Sequence, residues 1–359
     1  MKGINTALIG CGRIGFMLES DPLRYKPCTH YGGAHSAGIS INAACDINTA
    51  RLRTFQHLAG IPEQHLYTDY NDLITALHPE IVIIATWTDS HVPIGIAAAE
   101  SGAKVIVCEK PIAPDLKEAQ RLIDACERNR TELIINHERR FDHRYRTIRN
   151  FIVSGKIGEI KTVHASILTS GYRGKSDIRE GGGPLLQDGT HLIDIIRFLF
   201  GDITSVSGSF ARSGRKSGFE DRAAGWLKAG NNIDIFLEAG GNRHYFHFEL
   251  DIYGTEGRIV IGNGYEKLFV SKKSTLYKNF RDLKEKPVNL KKGVNCFTRE
   301  YREVKRFMQR GERSCTSTGQ DGYKALEAVH ALYLSGFSGK KIDLPVKQDS
   351  IDLRKIFTL

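Results

Sequence analysis

The chain has 359 residues, more than the roughly 250–300 at which one hydrophobic core stops growing, so two domains are expected. Hydrophobic residues make up 41% and charged residues 26%, which argues against a disordered or fibrous chain. No apolar stretch approaches the roughly 18 residues of a membrane helix, and Arg13 interrupts the N-terminal apolar run, which argues against a secretory signal. The seven cysteines form no C-x-x-C pair and favour reduced thiols in a cytoplasmic protein.

Basic residues outnumber acidic ones, 51 to 41, which gives a net charge of +10. Nucleic-acid binding is one interpretation of this excess. The basic residues are dispersed, however, and the arginines between 139 and 149 follow helix-like spacing without an aromatic RNA-binding signature. We therefore predict neither a nucleic-acid nor a membrane partner. A solvated helix face explains the charge, and an anionic sugar substrate is the second explanation.

Residues 1–140 alternate strand-like apolar runs with helix-like stretches. Several runs are apolar throughout, as in parallel strands that are buried on both faces. This alternation predicts βαβ units and a doubly wound, Rossmann-type α/β sheet. The predicted strands are Ile4–Ile9, Ile41–Cys45, Ile81–Thr86, Lys104–Cys108 and Leu133–Ile135, and the predicted helices are His91–Glu100 and Leu116–Arg128.

Residues 141–359 have a different pattern, which predicts an α+β domain. Strand-like segments separated by Gly-rich turns indicate a large, mostly antiparallel open sheet with a helix on one face. The predicted strands are Thr162–Leu168, Ser205–Phe210, Asn232–Glu238, Tyr245–Tyr253 and Arg258–Ile261, and the predicted helices are Arg144–Ser154, Leu185–Phe200 and Gly322–Ser335.

A G-x-G-x-x-G motif, Gly10–Gly15, lies between the first predicted strand and a predicted helix. In dinucleotide-binding folds its glycines permit a tight turn, close approach of the backbone to a pyrophosphate, and close packing of helix on strand. The helix N-terminus adds N–H groups and a positive dipole. The context predicts dinucleotide binding, with contacts from Gly10, Gly12, Arg13, Ile14 and Gly15.

Asp46 ends the second predicted strand, where an acidic side chain is expected to bind the adenosine ribose hydroxyls. It lies farther from the glycines than the roughly 20 residues usual for this motif, and we interpret Leu18–Gly33 as an insertion. Because Ile47 and Asn48 follow Asp46, rather than an arginine, a 2′-phosphate would meet uncompensated negative charge. NAD is therefore favoured over NADP. The alternative is that Asp46 only caps the next helix.

Two polar segments follow later strands of the predicted sheet, Thr86–His91 and Glu109–Pro111. Rossmann-type sheets bind ligands past the carboxyl ends of their strands. By position alone, Lys110 is either a lysine that points into this crevice or an exposed surface lysine.

The whole chain resembles the glucose–fructose oxidoreductase / inositol dehydrogenase (Gfo/Idh/MocA) family. The resemblance covers nearly the full length and is specific for the family but not for a substrate. It implies an NAD-dependent oxidoreductase that transfers hydride between nicotinamide C4 and a secondary hydroxyl of a sugar or polyol. The segments that carry it, in the family's order, are Gly10–Gly15, Glu109–Pro111, Arg139–Phe141, Gly181–Asp194 and Ile252–Gly257.

The resemblance also implies that Lys110 is a catalytic or substrate-orienting lysine, often followed by a cis proline, here Pro111. As a cation, Lys110 would stabilise developing alkoxide charge. No metal is predicted. Besides Asp46 and the glycine motif, the expected cofactor contacts are Thr86, Trp87, Ser90, His91, Glu109 and Lys110.

His191 is the candidate base. Pro184 suits a first helical position, and Asp188 and His191, three residues apart, would share a helix face. Oxidation of an alcohol requires a base, and histidine titrates near neutrality. The helix dipole would keep His191 neutral, whereas Asp188 would oppose this while orienting the ring. A buried histidine satisfied by the backbone is the alternative.

The sequence departs from the family at one position. Many members carry an acid four residues before the histidine, where this chain has Gln187. Three options follow: Asp188 takes the acid's role, Gln187 only hydrogen-bonds substrate, or Asp194 assists.

Substrate contacts are expected from the last Rossmann strand onward. Cations there, together with the net charge, favour a nucleotide-linked or phosphorylated sugar, whereas surface arginines paired with Glu138 and Glu180 are the alternative. A neutral polyol or free sugar is the second candidate substrate, and a non-catalytic dinucleotide-binding sensor is the rival function. The expected substrate contacts are Arg139, Arg140, Tyr172, Arg173, Gln187, Asp188 and His191.

The predicted division is a NAD-binding Rossmann domain at residues 1–140 and an α+β domain for substrate binding and oligomerisation at residues 141–359. The resemblance implies a homodimer or homotetramer formed through the open face of the second sheet, because a large bare sheet face is a liability.

Overall fold

The computed structural model describes residues 5–169, 182–212, 219–288, 290, 293–312 and 316–346. The chain divides into two compact units. The first unit comprises Met1–His143 and Val294–Tyr323, and the second comprises Arg144–Gly293 and Lys324–Leu359. Residues 294–323 thus return to the first unit, a feature that the predicted division at residue 140 does not contain. The roles assigned to the two domains stay predictions.

The strands are β1 (Thr6–Ile9), β2 (Ala43–Cys45), β3 (Leu66–Tyr67), β4 (Ile81–Ile84), β5 (Val105–Cys108), β6 (Glu132–Ile135), β7 (Ile160–Leu168), β8 (Ile203–Ala211), β9 (Arg222–Ala229), β10 (Ile233–Gly240), β11 (His247–Gly254), β12 (Gly257–Gly262), β13 (Tyr265–Lys273), β14 (Arg281–Lys286) and β15 (Ile342–Asp343). Every predicted strand is present, with both ends within two residues of the predicted bounds. Strands β3, β9, β13, β14 and β15 were not predicted.

The helices are α1 (His30–Ser36), α2 (Thr49–Ala59), α3 (Tyr70–Leu77), α4 (Thr88–Glu100), α5 (Leu116–Arg128), α6 (His143–Val153), α7 (Thr190–Phe200), α8 (Cys296–Arg310) and α9 (Gly319–Ser338). Short 3-10 turns occupy Met17–Ser20, Glu63–His65 and Glu138–Arg140, and a π-helical turn occupies Leu185–Gly189. Among these helices, α1, α2, α3 and α8 were not predicted.

The first unit is built on a six-stranded sheet with the order β3-β2-β1-β4-β5-β6, in which all neighbours run parallel. Every residue of β1, β4 and β5 is buried, because these apolar strands are covered on both faces. The predicted Rossmann-type sheet is confirmed.

The glycine motif does not open a regular helix, and that prediction is wrong. Turns follow Gly15, and α1 begins only at His30. The N–H of His30 nevertheless donates to the carbonyl of Ile14 at 3.0 Å. Helical hydrogen bonding therefore continues from the motif into α1 across the intervening residues, as expected for an insertion into the first helix. The interpreted insertion, Leu18–Gly33, extends past the start of α1.

Helix α8 belongs to the first unit and has a buried face. Phe297, Tyr301 and Val304, spaced four and three residues apart, are all buried, as helical periodicity requires. The side chain of Asn295 caps the helix by accepting from the N–H of Phe297, and Gly311 ends it with a left-handed backbone.

The second unit contains a nine-stranded sheet with the order β14-β13-β12-β11-β7-β10-β9-β8-β15. Only the β7–β10 pair is parallel, so the mostly antiparallel sheet is confirmed. Helix α6 packs on one face through Tyr145 and Phe248, and α9 packs there through Leu332. On the other face, Trp226 and Phe236 remain about half exposed.

Within the described residues, every helix is too short or too polar to span a membrane.

Candidate functional site

The carboxyl ends of the central strands lie side by side in the first unit. Ile9 pairs with Ile84, Ile84 with Cys108, and Cys108 with Ile135. The backbone contacts continue past the strand ends, where the N–H groups of Ala85, Glu109 and Asn136 donate to the carbonyls of Ile9, Ile84 and Cys108. The glycine motif, the Thr86 segment and the Glu109 segment therefore emerge at one edge of the sheet.

The glycines of the motif meet different constraints. Gly10 has φ +99°, and a Cβ there would lie 2.5 Å from the carbonyl oxygen of Ala85. A Cβ at Gly15 would overlap the carbonyl oxygen of Gly10. A Cβ at Gly12 would meet no heavy atom within 4 Å. Packing thus explains the first and third glycines, whereas the second leaves the backbone open to approach by a pyrophosphate.

Asp46 is buried beside the glycine motif. Its Oδ2 accepts from the N–H of Cys11 at 2.7 Å, and its Oδ1 accepts from the N–H of Asn48 at 2.8 Å. The residue that caps α2 is Asn48, which accepts from the N–H of Arg51, so the capping alternative for Asp46 is wrong. A fixed carboxylate next to an open glycine backbone fits the ribose and pyrophosphate of a dinucleotide.

The segment after β4 has an exposed and a buried part. Trp87 is 59% exposed, and the hydroxyl of Ser90 donates to the carbonyl of Trp87 at 2.8 Å and lies 2.8 Å from Oγ1 of Thr86.

His91 is buried, with Nδ1 2.9 Å from the carbonyl oxygen of Pro111 and Nε2 3.2 Å from that of Thr86. Burial lowers the pKa of His91, although the two carbonyls act in the opposite direction. Its ring therefore connects the loop that follows β4 to the loop that follows β5 by hydrogen bonds.

The Lys110–Pro111 peptide bond is cis, as the resemblance implied. Lys110 is partly exposed. Its positive charge lowers the pKa of two neighbouring carboxyls, Glu109 and Glu138, each against the larger opposing effect of burial. Lys110 therefore lies close to two acidic side chains at the edge where the central strands end.

Two of the three arginines predicted to bind an anionic substrate, Arg139 and Arg140, have acidic partners. Arg139 forms an ion pair with Glu138. Arg140 is buried, forms a 3.0 Å ion pair with Asp321 and donates to the carbonyl of Thr316 at 3.2 Å. These contacts agree with the paired-arginine alternative, which named Glu138.

In the second unit, the predicted site residues stand out by their exposure. Between residues 182 and 197, all residues are buried except Gln187, Asp188 and His191. The prediction of one α-helix from Leu185 is wrong at its start, because residues 185–189 form a π-helical turn and α7 begins at Thr190. The α-helical spacing assumed for Asp188 and His191 therefore does not hold across this turn.

Asp194, the third option for the missing acid, is buried in α7. Its Oδ1 lies 3.9 Å from Arg197, which also pairs with Asp202 at 2.8 Å. These contacts assign Asp194 to the packing of α7 and leave Gln187 and Asp188 as the partly exposed options.

Glu220 is hydrogen-bonded to the first residue of the π-helical turn. Its buried carboxylate accepts from the N–H of Leu185 at 2.9 Å and from the hydroxyl of Tyr333 at 3.0 Å. Burial raises the pKa of Glu220 to about 7 despite these hydrogen bonds. The side chain of Glu220 therefore exchanges its proton near neutrality. It contacts the turn that carries Gln187 and Asp188, two of the residues predicted to bind substrate.

Two predicted substrate contacts, Tyr172 and Arg173, lie outside the described residues.

Sequence reasoning missed several buried polar residues of the candidate site. Asn136 directly follows β6, so the strand-end rule that singled out Glu109 would have found it. Tyr301 lies on α8, whose apolar periodicity was a usable signal. His30 and Glu220 had no local signal, because their partners are distant in sequence.

Two family models match the chain. Residues 4–137 match the model described as "Oxidoreductase family, NAD-binding Rossmann fold", and residues 145–260 match the "GFO/IDH/MocA C-terminal domain". The chain belongs to the Gfo/Idh/MocA family.

Individual relatives of this Gfo/Idh/MocA protein include sugar and polyol dehydrogenases. Inositol 2-dehydrogenase of Salmonella typhimurium is 29% identical over 260 residues, 71% of this chain and 72% of the relative. D-apiose dehydrogenase of Paraburkholderia graminis is 26% identical over 365 residues, 96% of this chain and 90% of the relative. The WlbA dehydrogenase of Bordetella pertussis, solved with NADH and UDP-GlcNAcA, has a TM-score of 0.77 at 20% identity and covers 96% of this chain and 100% of that one.

This Gfo/Idh/MocA protein is an oxidoreductase with an NAD-binding Rossmann domain, in a family of NAD-dependent sugar and polyol dehydrogenases. The predicted family, fold class and cofactor are confirmed.

The open backbone at Gly12 predicts a separation of binding from stability. Gly12→Ala is expected to keep the wild-type Tm but to weaken NAD binding by roughly tenfold or more, since the methyl group would displace the pyrophosphate. Gly15→Ala, which creates an internal overlap, is expected to lower the Tm instead. Calorimetric titration with NAD and thermal unfolding measure both; a G12A variant that binds NAD as tightly as wild type would contradict the assignment.

The raised pKa of Glu220 predicts a pH dependence of stability. Between its usual pKa of 4.5 and about 7, the folded state keeps a proton that the unfolded state loses. The contribution of Glu220 to the free energy of unfolding is therefore fully present below pH 4.5 and is lost as the pH rises through 7. The loss amounts to about 3 kcal/mol.

Glu220→Gln keeps a neutral group at this position and is expected to lose less stability than wild type between pH 5 and pH 8 in urea unfolding. The exposed Glu159→Gln is the control and should follow wild type. Equal losses in E220Q and wild type would rule out a buried proton at Glu220.

Proposed function

We propose that the protein is an NAD-dependent dehydrogenase that oxidises a secondary hydroxyl of a neutral polyol or free sugar. The pairing of Arg139 with Glu138 and of Arg140 with Asp321 carries this proposal. Each arginine has a carboxylate close to its guanidinium, so a substrate phosphate would compete with an internal ion pair for the same donors. The names of the inositol and apiose dehydrogenases point to the same substrate class.

The bound nicotinamide supplies the acceptor for the hydride. In the proposed mechanism, His191 accepts the proton of the substrate hydroxyl, which suits a partly exposed imidazole at the start of α7. Lys110 stabilises the developing alkoxide through its ammonium charge. Asp188 orients the imidazole, and Gln187 donates a hydrogen bond to another substrate hydroxyl.

For the cofactor end, we propose that Asp46, Gly12 and the exposed residues of the Thr86 segment bind NAD. The carboxylate of Asp46, fixed by two backbone N–H groups, accepts from the ribose hydroxyls and repels a 2′-phosphate. This repulsion supports NAD over NADP.

The second candidate substrate is a nucleotide-linked or phosphorylated sugar. The net charge of +10 favours it, and Tyr172 and Arg173 would be its contacts.

We also propose that the protein forms a homo-oligomer through the exposed face of the nine-stranded sheet. Trp226 and Phe236 are about half exposed there, and burial of such apolar side chains stabilises association. A cytoplasmic location is the further proposal, since the described cysteines are free thiols.

The catalytic assignment predicts the effect of two substitutions. Lys110→Met and His191→Asn are each expected to lower kcat/KM by roughly 10²–10⁴-fold, the usual range for loss of a positioned acid, base or electrostatic group. NAD binding should persist in H191N. The matched controls are Lys104→Met and His57→Asn, which alter exposed side chains and should retain activity in the NADH absorbance assay. Full activity in either K110M or H191N would remove that residue from the mechanism.

The substrate assignment is tested by a paired panel. Free polyols and sugars are expected to give kcat/KM values at least roughly tenfold above those of their phosphorylated or UDP-linked counterparts, because an anion gains no unpaired arginine from Arg139 or Arg140. Measurement at low and high salt checks the electrostatic part. A preference for phosphorylated compounds that falls with salt would select the second candidate substrate.

A further inference from the structure

A buried chain of three polar side chains connects α8 to the end of β5 within the first unit. We name Tyr301, His30 and Glu109 the buried polar chain. The hydroxyl of Tyr301 lies 2.7 Å from Nδ1 of His30, and Nε2 of His30 lies 3.0 Å from Oε1 of Glu109. All three residues are buried. The buried polar chain ends at Glu109, the residue directly before Lys110.

The direction of the hydrogen bonds follows from the charge of Glu109. Burial raises the pKa of Glu109, but hydrogen bonds from His30 and Asn136 and the positive charges of His30 and Lys110 outweigh it and lower the pKa to about 2, so the carboxylate only accepts. Nε2 of His30 therefore donates. Burial raises the pKa of Tyr301 well above its usual range, so its hydroxyl stays protonated beside Nδ1 of His30.

Further donors surround the same carboxylate. The side-chain amide of Asn136 donates to Oε1 of Glu109 at 2.6 Å, and the N–H of Lys110 donates to Oε2 at 3.2 Å. A buried carboxylate with too few donors takes up a proton. These donors therefore decide that Glu109 carries a negative charge next to Lys110.

We propose that Glu109 is a positioning residue for Lys110, whose ammonium it holds in place, and that His30 and Tyr301 maintain the Glu109 carboxylate for this purpose. The proposal rests on the catalytic role proposed above for Lys110. It adds a function for α1 and α8, which supply His30 and Tyr301. Neither a dinucleotide nor a substrate needs to contact His30 or Tyr301.

The other titratable groups near Glu109 do not replace its charge. Burial raises the pKa of the Cys108 thiol and of Glu300 well above their usual ranges and lowers that of His91, so all three are neutral. Glu138 also lies near Lys110, but burial raises its pKa and Arg139 is its ion-pair partner. Glu109 is therefore the carboxylate best held in its ionised form beside Lys110.

The direct test measures the reactivity of the Lys110 amine. Wild-type protein and variants are treated with acetic anhydride at pH 8, and acetylation of each lysine is quantified by peptide mass spectrometry. Glu109→Gln is expected to increase the labelling rate of Lys110 by roughly three- to tenfold, because the amine loses the adjacent anion that holds it and reacts more readily with the reagent. Labelling of Lys104, an exposed lysine at the other end of β5, serves as the internal reference.

Variants of the buried polar chain separate the effect of charge from that of packing. His30→Leu is expected to increase Lys110 labelling as E109Q does, because burial then protonates Glu109. His30→Gln supplies an Nε2–H in place of the lost donor and is expected to return Lys110 labelling to the wild-type rate. Tyr301→Phe keeps the ring and should give a smaller increase even if H30L does not fold. Val304→Ala, a buried truncation on α8, controls for loss of packing and should leave labelling unchanged. Wild-type labelling in E109Q would overturn the proposal, and wild-type labelling in Y301F would remove Tyr301 from it.

The pH profile of kcat/KM provides a second readout. In H30L the acid limb is expected to move to higher pH, because Glu109 must lose its proton before Lys110 is held, whereas E109Q should be slow at every pH. An unshifted acid limb in a folded H30L variant would count against the proposal. The two proposals fail separately: an active K110M variant removes the catalytic role of Lys110, whereas unchanged labelling in E109Q removes its control by Glu109.

Discussion

The first unit depends on one constraint: the four parallel strands β1, β4, β5 and β6 end at the same level of the sheet. Ile9, Ile84, Cys108 and Ile135 are paired neighbours in the sheet. Because buried peptide groups must be hydrogen-bonded, this register does not slip without unpairing buried N–H and carbonyl groups. The loops that follow the strands therefore lie against one another, and only glycine at position 10 tolerates the contact with Ala85.

At this edge, the interior of the first unit keeps one carboxylate ionised. Burial alone would protonate Glu109, and the donors that prevent this come from α1, from the end of β6 and from the Lys110 backbone. The opposite outcome is found at Glu220 in the second unit, where hydrogen bonds from Leu185, from Tyr333 and from its own backbone do not offset burial and the pKa is about 7. The positive charges around the carboxylate, rather than the depth of burial or the number of donors, distinguish the two glutamates.

Much of the fold was predictable because local pattern and tertiary environment agree. The ten predicted strands lie within two residues of their observed ends, because continuous or alternating apolar residues indicate which strand faces are buried. Asp46 was predictable from its position at a strand end. The π-helical turn at residues 185–189 was not, because the apolar pattern of Leu185–Phe200 is compatible with an ordinary helix.

The sequence by itself determined the α/β class, the NAD-binding motif, the family and the residues proposed to act, because each depends on residues close together along the chain. Only the tertiary structure decided that Arg140 is paired with Asp321 and that Tyr301 contacts His30, 271 positions away. Such pairs leave no local trace, since they arise only when separate helices and strands pack and buried polar groups must find partners.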